Sequence, residues 1–446
     1  MSAVSAARSR LMPGGADVIV VGAGSSGCVV AERLSRDPAR RVLWLEAGGD
    51  KAAATELRLD RLPVAAGSQR VVHYPSRQGF DLPRGRGLGG SSAVNGGYFM
   101  RWHKADFAGW PWPQQEIAAA YDRLDGGEAG GGSMHVAAFA DDELHEYARA
   151  FENHWHEQGF GDSTAPWPDV GVVRVRSNRD GWLRRSAAES IAQRIEGRKN
   201  LQLMTDSEVI GLRRSGDRVT AVVVGEQVIA ADEVILCAGT LGTAQLLARS
   251  GIVGAQSIGV WEHREVLVRF TPATPPAPAA RALLQSVLHT DDGIEIRCYN
   301  GDFADFISGV PATGPAMGVA LMHTREPGSI AWDLTSGLVV DLGEVSRSDR
   351  EKLAAWAERV REMLDGPRFA ALVDRSGGGA VIDSVVRTSQ HAWGTLPMGV
   401  DTDWLGRVTA VSGLRVLDAS ILPTAGSSGP HATVMMVASY IADQIA

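Results

Sequence analysis

The spacing of apolar positions changes repeatedly along this chain, and each change marks an element. Residues 18–21 (VIVV) are apolar without alternation, as in a short parallel strand buried on both faces. GAGSSG follows at 22–27, then a helical pattern over 28–35, then a second apolar run at 42–45 that ends at Glu46. A third buried strand at 233–237 stops at Ala238-Gly239, and 240–249 is helical. That is a second strand–glycine–helix unit, suited to a crossover in the same sheet. Between these units, 201–204, 207–212 and 219–224 alternate or run apolar, with a Ser-Gly-Asp turn at 215–217. Helical periodicity also marks 114–124, 347–364 and 433–445, and the segment 181–189 leads into a helix that runs to 195. It marks 141–158 as well, where Leu144, Tyr147, Ala148, Phe151 and Trp155 share one face. Segments 266–270, 294–299, 318–322 and 338–342 have the pattern of strands in a largely antiparallel sheet. Residues 48–83 are expected to be irregular, with a short helix near 52–62, and TPATPPAPAA at 271–280 to be an exposed connection.

Composition narrows the class. At 446 residues, 44% hydrophobic and 22% charged, the chain has the length for more than one globular core. A net charge of −8 without a basic block argues against nucleic acid as the main partner. The three cysteines, Cys28, Cys237 and Cys298, form no CxxC pair, so an iron–sulfur cluster or structural zinc is not expected. Sparse, odd-numbered cysteine suits a reducing, cytoplasmic setting. No leader with an apolar core and no run of about 18 apolar residues stands out, so no transmembrane segment is expected. Peripheral contact with a membrane is left open. His145, His154 and His156 on one helix suggest metal binding, but no matching carboxylate set accompanies them, and a solvated face is the expectation, with no metal site.

Three stretches carry candidate chemistry. In the first, Gly22 permits a tight turn, Gly24 lets backbone approach a pyrophosphate, and Gly27 lets helix pack on strand. The helix N-terminus offers N–H groups and a positive dipole end, and Glu46 stands about 20 residues further on, where a carboxylate can hold a ribose. This is a dinucleotide site; NAD and FAD remain alternatives at this stage. The second is GRGLGGSSAVNGG at 85–97, whose glycines would let backbone lie against a flat ligand. Leu88, Val94, Tyr98 and Phe99 are too apolar for a solvated linker. The third is C-terminal: His391 in HAWGTLPMG, Asp418 at the end of an apolar run, and His431 in GPHATVMM.

Together these segments resemble the glucose–methanol–choline (GMC) family of flavin oxidoreductases. The likeness rests on GAGSSG with Glu46, GRGLGGSSAVNGG, the turn at 181–186, VILCAGTLGTAQLLARSGI (234–252), HAWGTLPMG, LRVLDASILPT (414–424) and GPHATVMM. It implies an α/β fold with a Rossmann-like FAD-binding domain (1–60, 76–135, 181–260 and 388–446). An α+β substrate or cap domain on a mostly antiparallel sheet (61–75, 136–180 and 261–387) would be inserted in it. By resemblance, Gly22, Gly24, Ser26 and Gly27 would meet the FAD pyrophosphate, Glu46 the adenosine ribose and Val209, by its backbone, the adenine end, with Ser25, Ala47 and Ala238 also binding the cofactor. Gly90, Ser91, Asn95 and Gly96 would lie along the flavin, Asp418 and Ala419 at the pyrophosphate–ribityl side, and Thr433 and Val434 at the pyrimidine edge. His391 would be the base that takes the hydroxyl proton while hydride leaves carbon for flavin N5, and His431 its partner. A histidine titrating near neutral pH suits that task.

There are departures from the family pattern. Val94 stands where some members attach FAD covalently through histidine, so FAD is expected to be non-covalent. Ala244 replaces a proline, and Trp393 with Leu396-Pro397 either reshapes the pocket or packs. The compact length and GGYF at 96–99 look most like the branch associated with the peptide cofactor mycofactocin. That likeness implies reduced mycofactocin as substrate and a respiratory electron acceptor. An alcohol oxidase using O2 and a redox-neutral lyase on the same scaffold are the alternatives.

Overall fold

The computed structural model describes residues 15–50, 54–164, 166–253, 258–274, 282–333 and 337–446. Its first sheet grows from the opening unit. Strand β1 (Ala16–Val21) pairs parallel with β2 (Val42–Leu45) on one side and with the strand Gln227–Leu236 on the other. Leu201–Met204 extends the sheet beyond β2, and Leu414–Val416 joins the far edge of Gln227–Leu236, both in parallel. Every residue of β2 and nearly every residue of β1 is buried, which is why the sequence shows apolar runs there instead of alternation. The strand Gln227–Leu236 serves two layers: its first half pairs antiparallel with Arg218–Val224 in a meander, its second half parallel with β1.

Helix α1 (Ser25–Leu34) packs against the C-terminal helix His431–Ile445 and against Ala187–Ile195. The C-terminal helix is buried from Ala432 to Ala442, so its apolar character all round is that of an internal helix. No helix among the described residues is long and apolar enough to cross a membrane.

The second sheet is antiparallel, in the order Val381–Ile382, Arg264–Arg269, Ala316–Leu321, Ile294–Tyr299, Leu284–His289, Gly171–Arg174. Helices Glu146–Glu157 and Arg347–Asp365 cover it, and Phe151, Trp155, Val360, Met363, Ile296 and Val319 lie in its apolar core.

Several expectations need correction. The strand expected at 338–342 forms at Gly337–Asp341 but belongs to a separate three-stranded sheet with Ile258–Val260 and Gly328–Asp333. Residues 48–83 are not wholly irregular: Val71–Pro75 and Asp81–Gly85 form a hairpin. Its prolines, His73 and Asp81 break the alternation by which strands are recognised. Leu284–His289 is buried throughout, including Gln285, Ser286 and His289, and its mixed polarity hid it. The expected helix over 141–158 begins only at Glu146, after a short 3-10 turn, with the His145 ring capping its first turn. His156 meets Asp162, and His154 lies against Trp155. Of the connection at 271–280, residues 275–280 lie outside the described residues, as do 51–53 of the short segment near 52–62, where Ala54–Leu57 is a 3-10 turn.

Candidate active site

A cavity of about 410 Å³ opens at the carboxyl ends of β1 and β2 and runs to the C-terminal histidines. Its lining brings together His391, His431, Gly22, Gly24, Ser25, Ser26, Glu46, Ala47, Gly90, Ser91, Asn95, Gly96, Val209, Ala238, Asp418, Ala419 and Val434. Of the expected site residues, Gly27 and Thr433 do not line it. Gly27 acts in packing: a Cβ there would stand 2.0 Å from the Gly22 carbonyl oxygen. Thr433 turns inward, its hydroxyl 2.6 Å from that of Tyr121, because the C-terminal helix begins two residues before it, at His431.

The first end is built from backbone. Gly22 has φ +101°, and a Cβ on it would meet the Cys237 carbonyl oxygen at 2.5 Å. A Cβ on Gly90 would lie 2.6 Å from the Gly24 Cα, so the two glycine stretches touch each other. Gly24 caps α1 without a side chain, leaving the first-turn N–H groups facing the cavity. Glu46 ties these pieces together. Its carboxylate accepts the N–H groups of Ala23 (2.7 Å), Gly48 (2.9 Å) and Gly87 (2.8 Å). The sequence pointed to a ribose ligand; the structure adds a knot that joins the glycine turn to the glycine-rich segment. Arg184, buried, performs a similar task from behind, donating to the Ala93, Glu56 and Arg61 carbonyls. Asp418 accepts the Gly239 N–H (2.9 Å), the Thr243 hydroxyl (2.6 Å) and the Ser420 N–H (2.9 Å), joining the second strand–glycine–helix unit to the C-terminal segment. Burial pushes its carboxyl up, and these hydrogen bonds oppose the rise.

The second end is built from side chains. Asn95 Oδ1 accepts the Gly97 N–H at 3.0 Å, which turns the amide nitrogen toward His431 Nδ1, 3.3 Å away. His431 Nδ1 is therefore the acceptor, and its proton sits on Nε2. That Nε2 is buried with no hydrogen-bond partner among the described residues. Burial lowers the His431 ring to about 4, with the Tyr98 backbone carbonyl opposing. His391 follows Gln390, whose φ of +66° is unusual for a side-chain-bearing residue. The His391 N–H donates to Glu262 Oε1 (2.7 Å), and its Nδ1 lies 2.9 Å from Nδ1 of His263. Burial, then the positive charge of Arg297 and, more weakly, Arg84, lower His391 to about 3, against the pull of Glu295. Titration near neutrality is thus not what this site provides; both histidines are held as neutral rings.

Several residues at this end carried no recognisable signal. Tyr98 lines the cavity and donates its hydroxyl to Glu295 (2.7 Å), which also meets His289 and Arg297. Only its place after the glycine-rich segment could have marked it. Glu262 and His263 lie in a stretch without a motif or repeat. Trp393 and Leu396 are buried and absent from the cavity wall, so they pack.

The glycine cradle, the helix terminus without a side-chain cap and the unpartnered Nε2 fit a dinucleotide whose reactive ring would lie near Asn95 and the two histidines. The comparisons agree. The pattern described as GMC oxidoreductase matches residues 16–263 in its N-terminal part and 343–438 in its C-terminal part. An uncharacterised GMC-type oxidoreductase from the thcA 5′ region of Rhodococcus erythropolis is 34% identical over 95% of this chain and 97% of its own length. Pyridoxine 4-oxidase of Microbacterium luteolum is 27% identical, covering 95% and 98%. The crystal structure of pyridoxine 4-oxidase from Mesorbium loti superposes with a TM-score of 0.85 at 25% identity, covering 96% of this chain and 99% of that one. The protein belongs to the GMC oxidoreductase family. It is a flavoenzyme of the group that uses FAD and acts on CH–OH donors.

Proposed function

We propose that this protein oxidises an alcohol to the corresponding carbonyl, with His391 as base and His431 as hydrogen-bond donor to the same oxygen. The observation that carries this reading is the convergence of two half-buried, neutral imidazoles on one cavity wall from positions far apart in the chain. FAD bound here supplies the hydride acceptor, flavin N5. The glycine turn, Glu46 and Asp418 would hold its adenosine and pyrophosphate, and Gly90, Ser91, Asn95 and Gly96 its ring. Val94 is apolar and buried and offers no atom for a covalent link, which supports a cofactor held non-covalently. The FAD-binding domain is 1–60, 76–135, 181–260 and 388–446, and the remainder forms the substrate domain. Among the described residues, two of the three apolar cores support that division, Leu59 and Met100 apart, while the third joins Tyr74, Ile330 and Val340 to Leu82, Leu241 and Ala392 across it.

His391 is a weak base in this setting, because an imidazolium would be buried beside Arg297 and Arg84. It takes the hydroxyl proton only in step with loss of hydride from carbon, when the oxygen's negative charge is being relieved. The His431 Nε2–H holds that oxygen meanwhile, which fixes the carbon toward the flavin.

Reduced mycofactocin, with electrons leaving to a respiratory acceptor, is the specific substrate we put forward; the chain's compact length and GGYF at 96–99 support it. The test is anaerobic addition of reduced mycofactocin, pyridoxine and benzyl alcohol, each followed by oxygen or a quinone-like dye. Bleaching of the oxidised flavin band supports alcohol oxidation. Turnover without bleaching would establish the lyase alternative, and fast reoxidation by oxygen the oxidase.

A further inference from the structure

The segment Trp261–His263, just ahead of the strand Arg264–Arg269, clamps His391 from the substrate-domain side. Trp261 and Trp393 exchange both backbone hydrogen bonds at 3.0 Å, and the Ser389 N–H donates to the His263 carbonyl at 3.0 Å. Glu262 Oε1 takes the His391 N–H. The backbone on both sides of His391 is thereby fixed to three consecutive residues. The ring is fixed as well. His263 is 1% exposed, perpendicular to His391 at 5.2 Å and 86°, and stacked obliquely on Trp393 at 4.6 Å and 52°.

Two Nδ1 atoms 2.9 Å apart form a hydrogen bond only if one carries a proton and the other a lone pair. We infer that His263 is a positioning residue for the reaction: it accepts the Nδ1–H of His391 and so places the lone pair of His391 on Nε2, facing the substrate hydroxyl. The direction follows from the other nitrogen of His263. Its Nε2 has no hydrogen-bond partner among the described residues, and the ring lies against the Trp393 indole. The negative face of an indole tolerates an N–H better than a lone pair. The proton of His263 therefore belongs on Nε2 and its lone pair on Nδ1. Asn95 imposes the opposite tautomer on His431 by donating to its Nδ1. One ring then presents a lone pair to the alcohol and the other an N–H, which is what one hydroxyl needs while it loses its proton.

The step balances. The O–H bond breaks and its proton forms a bond to His391 Nε2. The C–H bond breaks and its electron pair leaves as hydride for the bound FAD. The C–O bond becomes C=O. His391 is then an imidazolium whose Nδ1–H still has His263 as acceptor. The charged groups facing this pair are Arg297 and Glu295 from the strand Ile294–Tyr299 and Arg84 from the hairpin, with Glu262 beside the His391 backbone and His323 acting on His263. Glu265 accepts from Arg297 and Ser389 beside the pair.

This inference rests on His391 being the base, and the experiment separates the two ideas. Anaerobic flavin reduction is followed in the holoenzyme, in H391A, H263L and H263N, with the alcohol of the panel that bleaches the wild type fastest. In H263N the Oδ1 atom replaces Nδ1 as acceptor. H263L should lower the limiting reduction rate by about 10- to 100-fold with the apparent substrate Kd changed less than about twofold, as expected when a reacting group is misplaced but binding is not. H263N should recover most of that loss. A wild-type rate in H263L overturns the inference. So does H263N as slow as H263L at equal FAD content and melting temperature, because packing would then be the whole role of His263. Unchanged reduction in H391A would instead remove the base assignment itself. If H263L does not retain FAD, 15N spectra of the histidine-labelled wild type decide, with the His391 signals identified by their loss in H391A. Protonation at Nδ1 supports the inference and protonation at Nε2 overturns it.

Discussion

At the adenosine end of the cavity the walls are main chain: Gly24 and Gly90 pass within van der Waals reach of each other, Gly22 turns against the Cys237 carbonyl, and a single carboxylate, Glu46, gathers three N–H groups. At the opposite end the walls include side chains carried in from Asn95, His391 and His431, with Asn95 orienting His431 while His263, behind the wall, lies against His391. The first kind of wall needs absence of side chains and tolerates almost no addition. The second needs particular atoms, and keeps its shape when one of them is removed. Substitutions should therefore fail differently at the two ends: loss of cofactor at the first, loss of rate with cofactor retained at the second.

The sharpest trial of that contrast is His391→Ala. The flavin spectrum should persist while anaerobic reduction slows by about 10²- to 10⁴-fold, the usual range for a lost general base. Concomitant loss of FAD would mean that the two ends are not separable. Next is Gly90→Ala, where φ is +51° and the Gly24 Cα would stand 2.6 Å from the new methyl. Forcing a methyl into such a contact costs about 1–3 kcal/mol, so the purified variant should carry little flavin by absorbance. Asn95→Leu leaves the cradle intact but frees the His431 tautomer. A misdirected group of this kind costs up to about 10²-fold, and the check is the reduction rate at unchanged FAD content.

Acidification should act on the histidine end. His391 and His431 titrate at about 3 and about 4 in the folded protein, below the ordinary 6.5. The unfolded chain therefore takes up protons first, and stability is lost as pH falls from about 6.5 toward 4. The upper bound is about 1.4 kcal/mol per pH unit for each ring. Urea midpoints between pH 7 and 5 should fall, with a smaller fall in His431→Gln. The smallest effect expected is for Thr433→Val, which removes the bond to Tyr121 and should cost about 1 kcal/mol, with the flavin spectrum unchanged.

The same contrast explains what could be read from the chain. The backbone-built end is nearly contiguous: VIVVGAGSSG carries strand, turn and helix start in one stretch, because glycine at fixed offsets has a geometric meaning by itself. His391, His431 and Asp418 were visible through the segments around them. His263 was not, because its meaning depends on the pairing of Trp261 with Trp393 across the fold, and nothing local encodes that pairing. The Glu46 knot was half visible: the acid could be placed at the end of β2, but the Gly87 N–H it holds comes from a segment whose return to this point is a tertiary event. The hairpin Val71–Pro75 with Asp81–Gly85 was missed for a related reason. It is stapled by Gln390, which accepts from Arg84 and donates to the Asp81 carbonyl, more than by any apolar alternation of its own.

The contact of Gly24 with Gly90 sets a rule for anyone recombining this gene with those of its relatives. The two glycines are lock and key cut from one template: each occupies the space the other vacates. A crossover between residues 27 and 85 inherits the two halves from different parents, and even a small difference in either loop's path would jam them. Chimaeras joined before residue 15, or well after residue 97, carry the matched pair intact, and libraries built that way should yield yellow protein where the others yield colourless chain.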